Sequence, residues 1–206
     1  MRRTLPWLLA IGCTGGVEGV PTGKFAVGIA AVRPELEVRD PELGVSVRQL
    51  LFDGEGPEGP ESVAIVVDER FEPLDSTDPI GFELDVGRHA ELDLRLTLSA
   101  DDGPAVEFRG THDETEWRIE IDSLDLEFRL PELVVTDQLR LGSVVFHPGQ
   151  WLETFEDVGD DLPLVVVTEG SPLYDDVVDE ILDTTEFTLD PVPAIETDDD
   201  DDEDHR

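Results

Sequence analysis

The sequence predicts a mainly β protein: an antiparallel β-sandwich of about ten strands with one amphipathic helix near the C-terminus. Three observations carry that expectation. Several segments alternate apolar and polar residues with a period of two, the pattern of strands with one dry and one wet face. Clusters of Gly, Pro, Asp and Ser separate these segments at short intervals, as in sandwiches and barrels. One stretch near the C-terminus instead repeats its apolar residues at helical spacing.

The alternating segments come in order. Phe82, Leu84 and Val86 alternate with Glu83 and Asp85, and Glu91 to Leu98 puts four leucines on one face. Trp117, Ile119 and Ile121 form a third dry face, and Leu124, Leu126, Phe128 and Leu130 a fourth. Between the last two the apolar phase changes from odd to even at Asp122-Ser123, which requires a bulge or a sharp corner. The runs Val63–Val67, Val144–Phe146 and Leu164–Val167 are apolar at every position and read as interior strands covered on both faces. Turns are expected at Gly54–Pro60, Asp75–Pro79, Asp101–Pro104 and Pro148-Gly149, with Asp102-Gly103 as a hairpin. In the helix, Ser171 caps, Pro172 takes the first turn, and Asp175 and Asp176 face the positive end of the dipole. Tyr174, Val177, Val178, Ile181 and Leu182 make its apolar stripe; its five acidic residues form a solvated face. A second helical turn is expected around Gln150–Glu153. Trp117 belongs to the core, whereas Trp151 is expected to be an exposed aromatic.

Composition sets outer bounds. With 206 residues and 39% apolar content, the chain builds one core with appendages. Its 51 acidic side chains against 14 basic give a net charge of −37, which excludes a nucleic-acid partner. Thirteen of the fourteen basic residues are arginine, Lys24 being the one lysine. High Asp and Glu with low Lys resembles proteins from salty surroundings, where ions screen self-repulsion. Asp198–Asp204 is a run of seven carboxylates that repels itself and stays solvated. A single cysteine, Cys13, excludes a disulfide framework and any thiolate zinc site.

That cysteine follows a positive start, Met1-Arg2-Arg3, and the apolar run Leu5–Ile11. The layout is that of a secretory signal, and seven apolar residues are too few to cross a bilayer as a helix. Ala10-Ile11-Gly12-Cys13 resembles the lipobox of bacterial lipoproteins. The resemblance implies cleavage before Cys13, a diacylglyceryl group on its thiol and acylation, often by palmitate, of the new amino terminus. Thr14, in the place where Asp would hold a lipoprotein at the inner membrane, implies the outer membrane or cell surface. The expected organisation is a signal peptide over residues 1–12, a Gly-rich tether over 13–23, a β-sandwich over 24–190 and an acidic tail over 191–206.

Motifs for chemistry are sparse. The sequence holds no nucleophile elbow, phosphate loop or dinucleotide fingerprint. Three histidines stand at or beside strand ends: His89, His112 and His147. With Asp113 and Glu114 following His112, they are candidate ligands for a divalent transition metal if the loops converge. Asp75–Asp78 and Asp157–Asp161 offer oxygens to Ca²⁺ without matching the twelve-residue calcium loop. The sequence therefore points to a lipid-anchored envelope protein acting as a binding or structural module, its partners the membrane and either cations or another envelope protein. The alternatives are a divalent-metal-binding protein and a hydrolase with paired carboxylates.

Overall fold

One strand organises the molecule. In the computed structural model, which describes residues 21–34, 38–75, 79–112, 114–153 and 162–189, β2 (Arg39–Gly56) is 18 residues long. Straight, it would reach about 60 Å, far beyond a usual strand. It bends instead at a register shift between Val47 and Gln49. Before the shift Leu43, Val45 and Val47 point inward; after it Leu50 and Phe52 do. The extra residue turns an odd dry face into an even one, as a bulge must.

The neighbours follow the bend. Strand β3 (Gly59–Phe71) lines one edge of β2 along both halves and carries its own kink at Asp68, where φ is +47°. On the other edge, β5 (Gly87–Ser99) pairs with the second half and β6 (Val106–His112) with the first. Outside these lie β8 (Ser123–Leu130) against β5 and β7 (Thr115–Ile121) against β6. Asp122 alone separates β7 from β8, so the phase change in the sequence is a corner in one long strand. The corner is stitched by Ala105, whose carbonyl accepts from Ser46 N–H and whose N–H donates to the Ile121 carbonyl, both at 2.7 Å. Arg48 pins the outside, reaching Asp68 at 3.1 Å and Asp101 at 2.6 Å. Asp102-Gly103 is therefore not a hairpin: β5 and β6 run in series along β2 rather than pairing with each other.

A second sheet closes the sandwich-like core. Its order is β12-β10-β1-β4, formed by β1 (Thr22–Ala31), β4 (Ile80–Asp85), β10 (Arg140–Phe146) and β12 (Glu186–Leu189). The larger sheet is completed by β9 (Leu133–Val135) on β5 and β11 (Leu164–Val167) on β7. The described residues thus form twelve strands, mainly antiparallel, with two parallel contacts, β1 with β10 and β11 with β7. Parallel neighbours need long connections, which the sequence supplies because these strands are far apart along the chain.

Two of the wholly apolar runs are edge strands rather than interior ones. Strands β3 and β11 each pair on one side, and Val66 is 63% exposed while Leu164 and Val166 also face out. The third, β10, does lie between two neighbours. The interior is filled by Phe25, Phe52 and Phe82, whose ring centroids lie 5.3–6.3 Å apart in tilted contacts across the two sheets.

Two helices complete the described fold, α1 (Pro148–Glu153) and α2 (Tyr174–Thr184). Val177 and Ile181 of α2 are buried and Leu182 is exposed, so the dry stripe is narrower than expected. Ser171 does not cap α2: Leu173 holds that position with no side-chain bond, and the buried Ser171 hydroxyl has no hydrogen-bond partner. Trp151 of α1 is fully buried, contrary to its expected exposure. Its ring packs edge-on against Phe108 of β6 and Phe146 of β10, and its Nε1 donates to Thr184 Oγ1 at 3.1 Å.

Strand β1 begins two residues inside the expected tether. A Cβ on Gly23 would lie 2.0 Å from the Thr136 carbonyl oxygen, a backbone atom that cannot step aside. Gly23→Ala is therefore expected to destabilise by roughly 1–3 kcal/mol, the usual cost of overpacking. Gly81→Ala on neighbouring β4, where a Cβ meets open space, should leave the urea midpoint almost unchanged.

Candidate functional site

The strongest polar feature inside the fold is a histidine. Residue-by-residue alternation from Leu92 backward would turn His89 outward. Glu91 prevents this by adopting φ +50°, a bulge that leaves Ala90 and Glu91 both exposed and swings His89 inward. Its side chain is 0% exposed. His89 Nε2 lies 2.7 Å from the Asp85 carbonyl, and Nδ1 faces Glu61 Oε2 of β3 at 3.1 Å. The second Glu61 oxygen accepts from Asp85 N–H at 3.1 Å.

The surroundings make room for this pair. Gly56 lies under the Glu61 carboxylate, where a Cβ would come within 2.7 Å. Pro57, in the two-residue turn between β2 and β3, packs on Gly87, whose φ of +148° suits glycine alone. Most of the Gly54–Pro60 segment is thus strand, folded over His89 as a hairpin tip.

Burial disfavours the imidazolium and is the largest single influence on His89, yet the close Glu61 carboxylate, the Asp85 carbonyl and the charge of Asp85 together raise its pKa. Burial likewise pushes Glu61 up, but the close His89 ring, the Asp85 N–H and the imidazolium charge bring its pKa below the ordinary value. Both shifts favour the charged forms of the two groups, whose Nδ1 and Oε2 approach to 3.1 Å without the alignment of a hydrogen bond. Asp85, near the surface, is raised by burial and by its neighbours Glu61 and Glu58, against the pull of His89.

Compared with protein-family models, curated protein sequences and solved structures, the chain matches none.

The other candidate ligands lie elsewhere. His112 is buried at the end of β6, opposite Thr115 across the β6–β7 hairpin. Glu114 is exposed in that turn with φ +69°, and Asp113 lies outside the described residues. His147 follows β10 with Nε2 3.4 Å from Glu186 Oε1 of β12. Among the described residues, no three His, Cys, Asp or Glu side chains are grouped to hold a metal ion. Residues 76–78 and 154–161, which hold most of the two candidate calcium segments, and Cys13 with its lipobox also lie outside the described residues.

On the larger sheet's outer face, charge is paired locally. Arg109 and Arg118 stand directly opposite across β6 and β7, and so do Glu107 and Glu120. Like charges so placed repel, but each arginine bonds the glutamate two residues along its own strand, and Arg70 adds a contact to Glu107 at 2.7 Å. Arg95 meets its cross-strand partner Glu127 at 3.4 Å. These pairs balance one another and leave most of the 51 acids without a compensating cation. Raising salt from 0.15 M to 1 M shortens the Debye length from ~8 Å to ~3 Å. The melting temperature should therefore rise over that range; a curve that stays put or falls would show that self-repulsion is not the dominant surface term.

Proposed function

We propose that this chain is an exported bacterial lipoprotein, held at the outer membrane or cell surface by acyl chains on Cys13, whose β-sandwich acts as a binding or structural module. The observation that carries the reading is the position of the only sulfur nucleophile of this kind, directly after Ala10-Ile11-Gly12 and a short apolar run. The fold is compatible with that address. Residues 14–21 lie between Cys13 and β1, a span of at most about 29 Å when extended. No helix among the described residues is long and apolar enough to cross a membrane. Two or more acyl chains anchor firmly, since each buried CH₂ contributes ~0.8 kcal/mol. An acidic domain on such a leash is repelled by anionic headgroups and stands off the surface.

Intact-mass analysis of the protein from bacterial membranes tests this directly. The expected species begins at Cys13 and carries the added mass of a diacylglyceryl group and an amide-linked acyl chain. Cys13→Ala should retain residues 1–12 and lose the lipid. An intact Met1 with an unmodified thiol in the wild-type chain would overturn the reading.

A further inference from the structure

Strand β3 is 13 residues long and pairs only with β2 among the described residues. An edge of that length presents a row of backbone donors and acceptors, and proteins ordinarily blunt such edges with charge. Here the middle does the opposite. From Ser62 to Val67 no residue is charged, in a chain where 32% of residues are. Ala64 and Val66 face solvent beside Leu51 of β2, their register neighbourhood on the outer face. Of the other strands that pair on one side only among the described residues, β11 and β12 have four residues, β9 three and β4 six, while the eight-residue β8 is blunted by charge at Asp125, Glu127 and Arg129 on its outer face.

Charge returns at both ends of this stretch. Glu55 and Glu58 stand at the hairpin end, with Asp53 paired to Ser62. Asp68, Glu69 and Glu72 stand at the other, with Arg70 turned away across Gly44 to Glu107. A second copy of β3 added antiparallel about Ile65 would set Asp68 and Glu69 of each copy beside the acidic hairpin end of the other, near Glu58, and would bring two strongly acidic bodies together. Those repulsions disfavour self-association. The complementary occupant is a strand with alternating apolar residues and basic residues at both ends.

We propose that the open edge of β3 is a β-augmentation site for an extended, basic-flanked peptide segment of a partner protein. Main-chain hydrogen bonds along Ser62–Val67 supply affinity, the Ala64–Val66–Leu51 surface takes alternate side chains, and the acids at either end select charge. This names the partner chemistry of the proposed binding module. It does not depend on the lipid, so the mass of the N-terminus and peptide binding can fail separately.

The test uses the full-length chain and a labelled peptide in which Val-Thr-Val-Thr-Val-Thr is flanked by two lysines on each side. Saturable binding in low salt is expected, at least tenfold tighter than for the same peptide flanked by glutamates. Hydrogen exchange should slow at Ser62–Val67. Val66→Lys, at a largely exposed position, should weaken binding at least tenfold with the melting temperature unchanged. A lysine-flanked control whose central threonine is proline cannot complete a ladder and should bind weakly. Equal binding by that control would show diffuse attraction to an acidic protein and overturn the proposal. So would protection on β8, β9 or β11 in place of β3, undiminished binding by Val66→Lys, or a dimer in sedimentation that Val66→Lys abolishes.

Discussion

Replacing Trp151 by alanine should cost about 3–5 kcal/mol, the range for deleting a large buried aromatic. The indole is fully enclosed and touches a strand from each sheet, Phe108 of β6 and Phe146 of β10, so its loss opens a cavity between the layers. It also removes the donor to Thr184 Oγ1, which bonds onward to the Glu180 carbonyl at 2.6 Å and ties α1 to the end of α2. For a domain of this size each kcal/mol moves the melting temperature by about 2–4 °C, so a fall of roughly 6–20 °C is expected by calorimetry. Trp151→Phe keeps an aromatic ring in the slot and loses the hydrogen bond, and should fall well short of that. Equal melting temperatures for wild type and Trp151→Ala would mean that the ring is not the bolt between the sheets.

Breaking the buried pair should be comparably severe. His89→Gln or Glu61→Gln leaves one partner charged, or polar, in a dry site without its counterpart, and removing one member of a buried pair costs about 3–5 kcal/mol. Replacing both by leucine removes the need for a counter-charge and should cost less than the two single changes combined. The pair also gives stability a pH signature. The His89 pKa is raised in the folded chain, so its contribution is complete below the unfolded value of about 6.5 and is lost as pH rises through the folded one. The Glu61 pKa is lowered, so its contribution is present above the ordinary value near 4.3 and is lost as pH falls through the folded one. The groups facing the imidazole are Glu61 from β3 and Asp85 from β4, with Glu58 of the hairpin turn next to Asp85. The wild-type melting temperature minus that of His89→Gln should be largest between about pH 4.5 and 6.5 and shrink on the alkaline side. A difference constant from pH 5 to 9 would show that His89 is neutral in the fold.

These two residues mark where sequence reading stops. Period-two alternation identifies the strand faces of Leu92–Leu98, Trp117–Ile121 and Leu124–Leu130, and the phase change at Asp122 marks a corner from residue order alone. Both follow from local geometry, since side chains alternate and one inserted residue reverses the faces. The same logic misplaces His89, because the bulge at Glu91 leaves no mark in residue type: a glutamate at φ +50° looks like any other glutamate. Trp151 looks exposed for a related reason. It stands in a short polar-flanked turn, and only the approach of Phe108 and Phe146 from different sheets encloses it. Ser171 shows the reverse error, a residue of the right type for a cap that the chain path leaves two residues too early.

The sequence by itself determined the β class, the amphipathic strands, the acidic exterior and the small-residue motif before Cys13, all properties written in neighbouring residues. Only the tertiary structure decided that β5 and β6 share β2 end to end, that β3 and β11 are edges, and that Glu61 meets His89. These depend on contacts between residues distant along the chain, which are set by how the twelve strands of the described residues fill one interior together and not by the character of any segment alone.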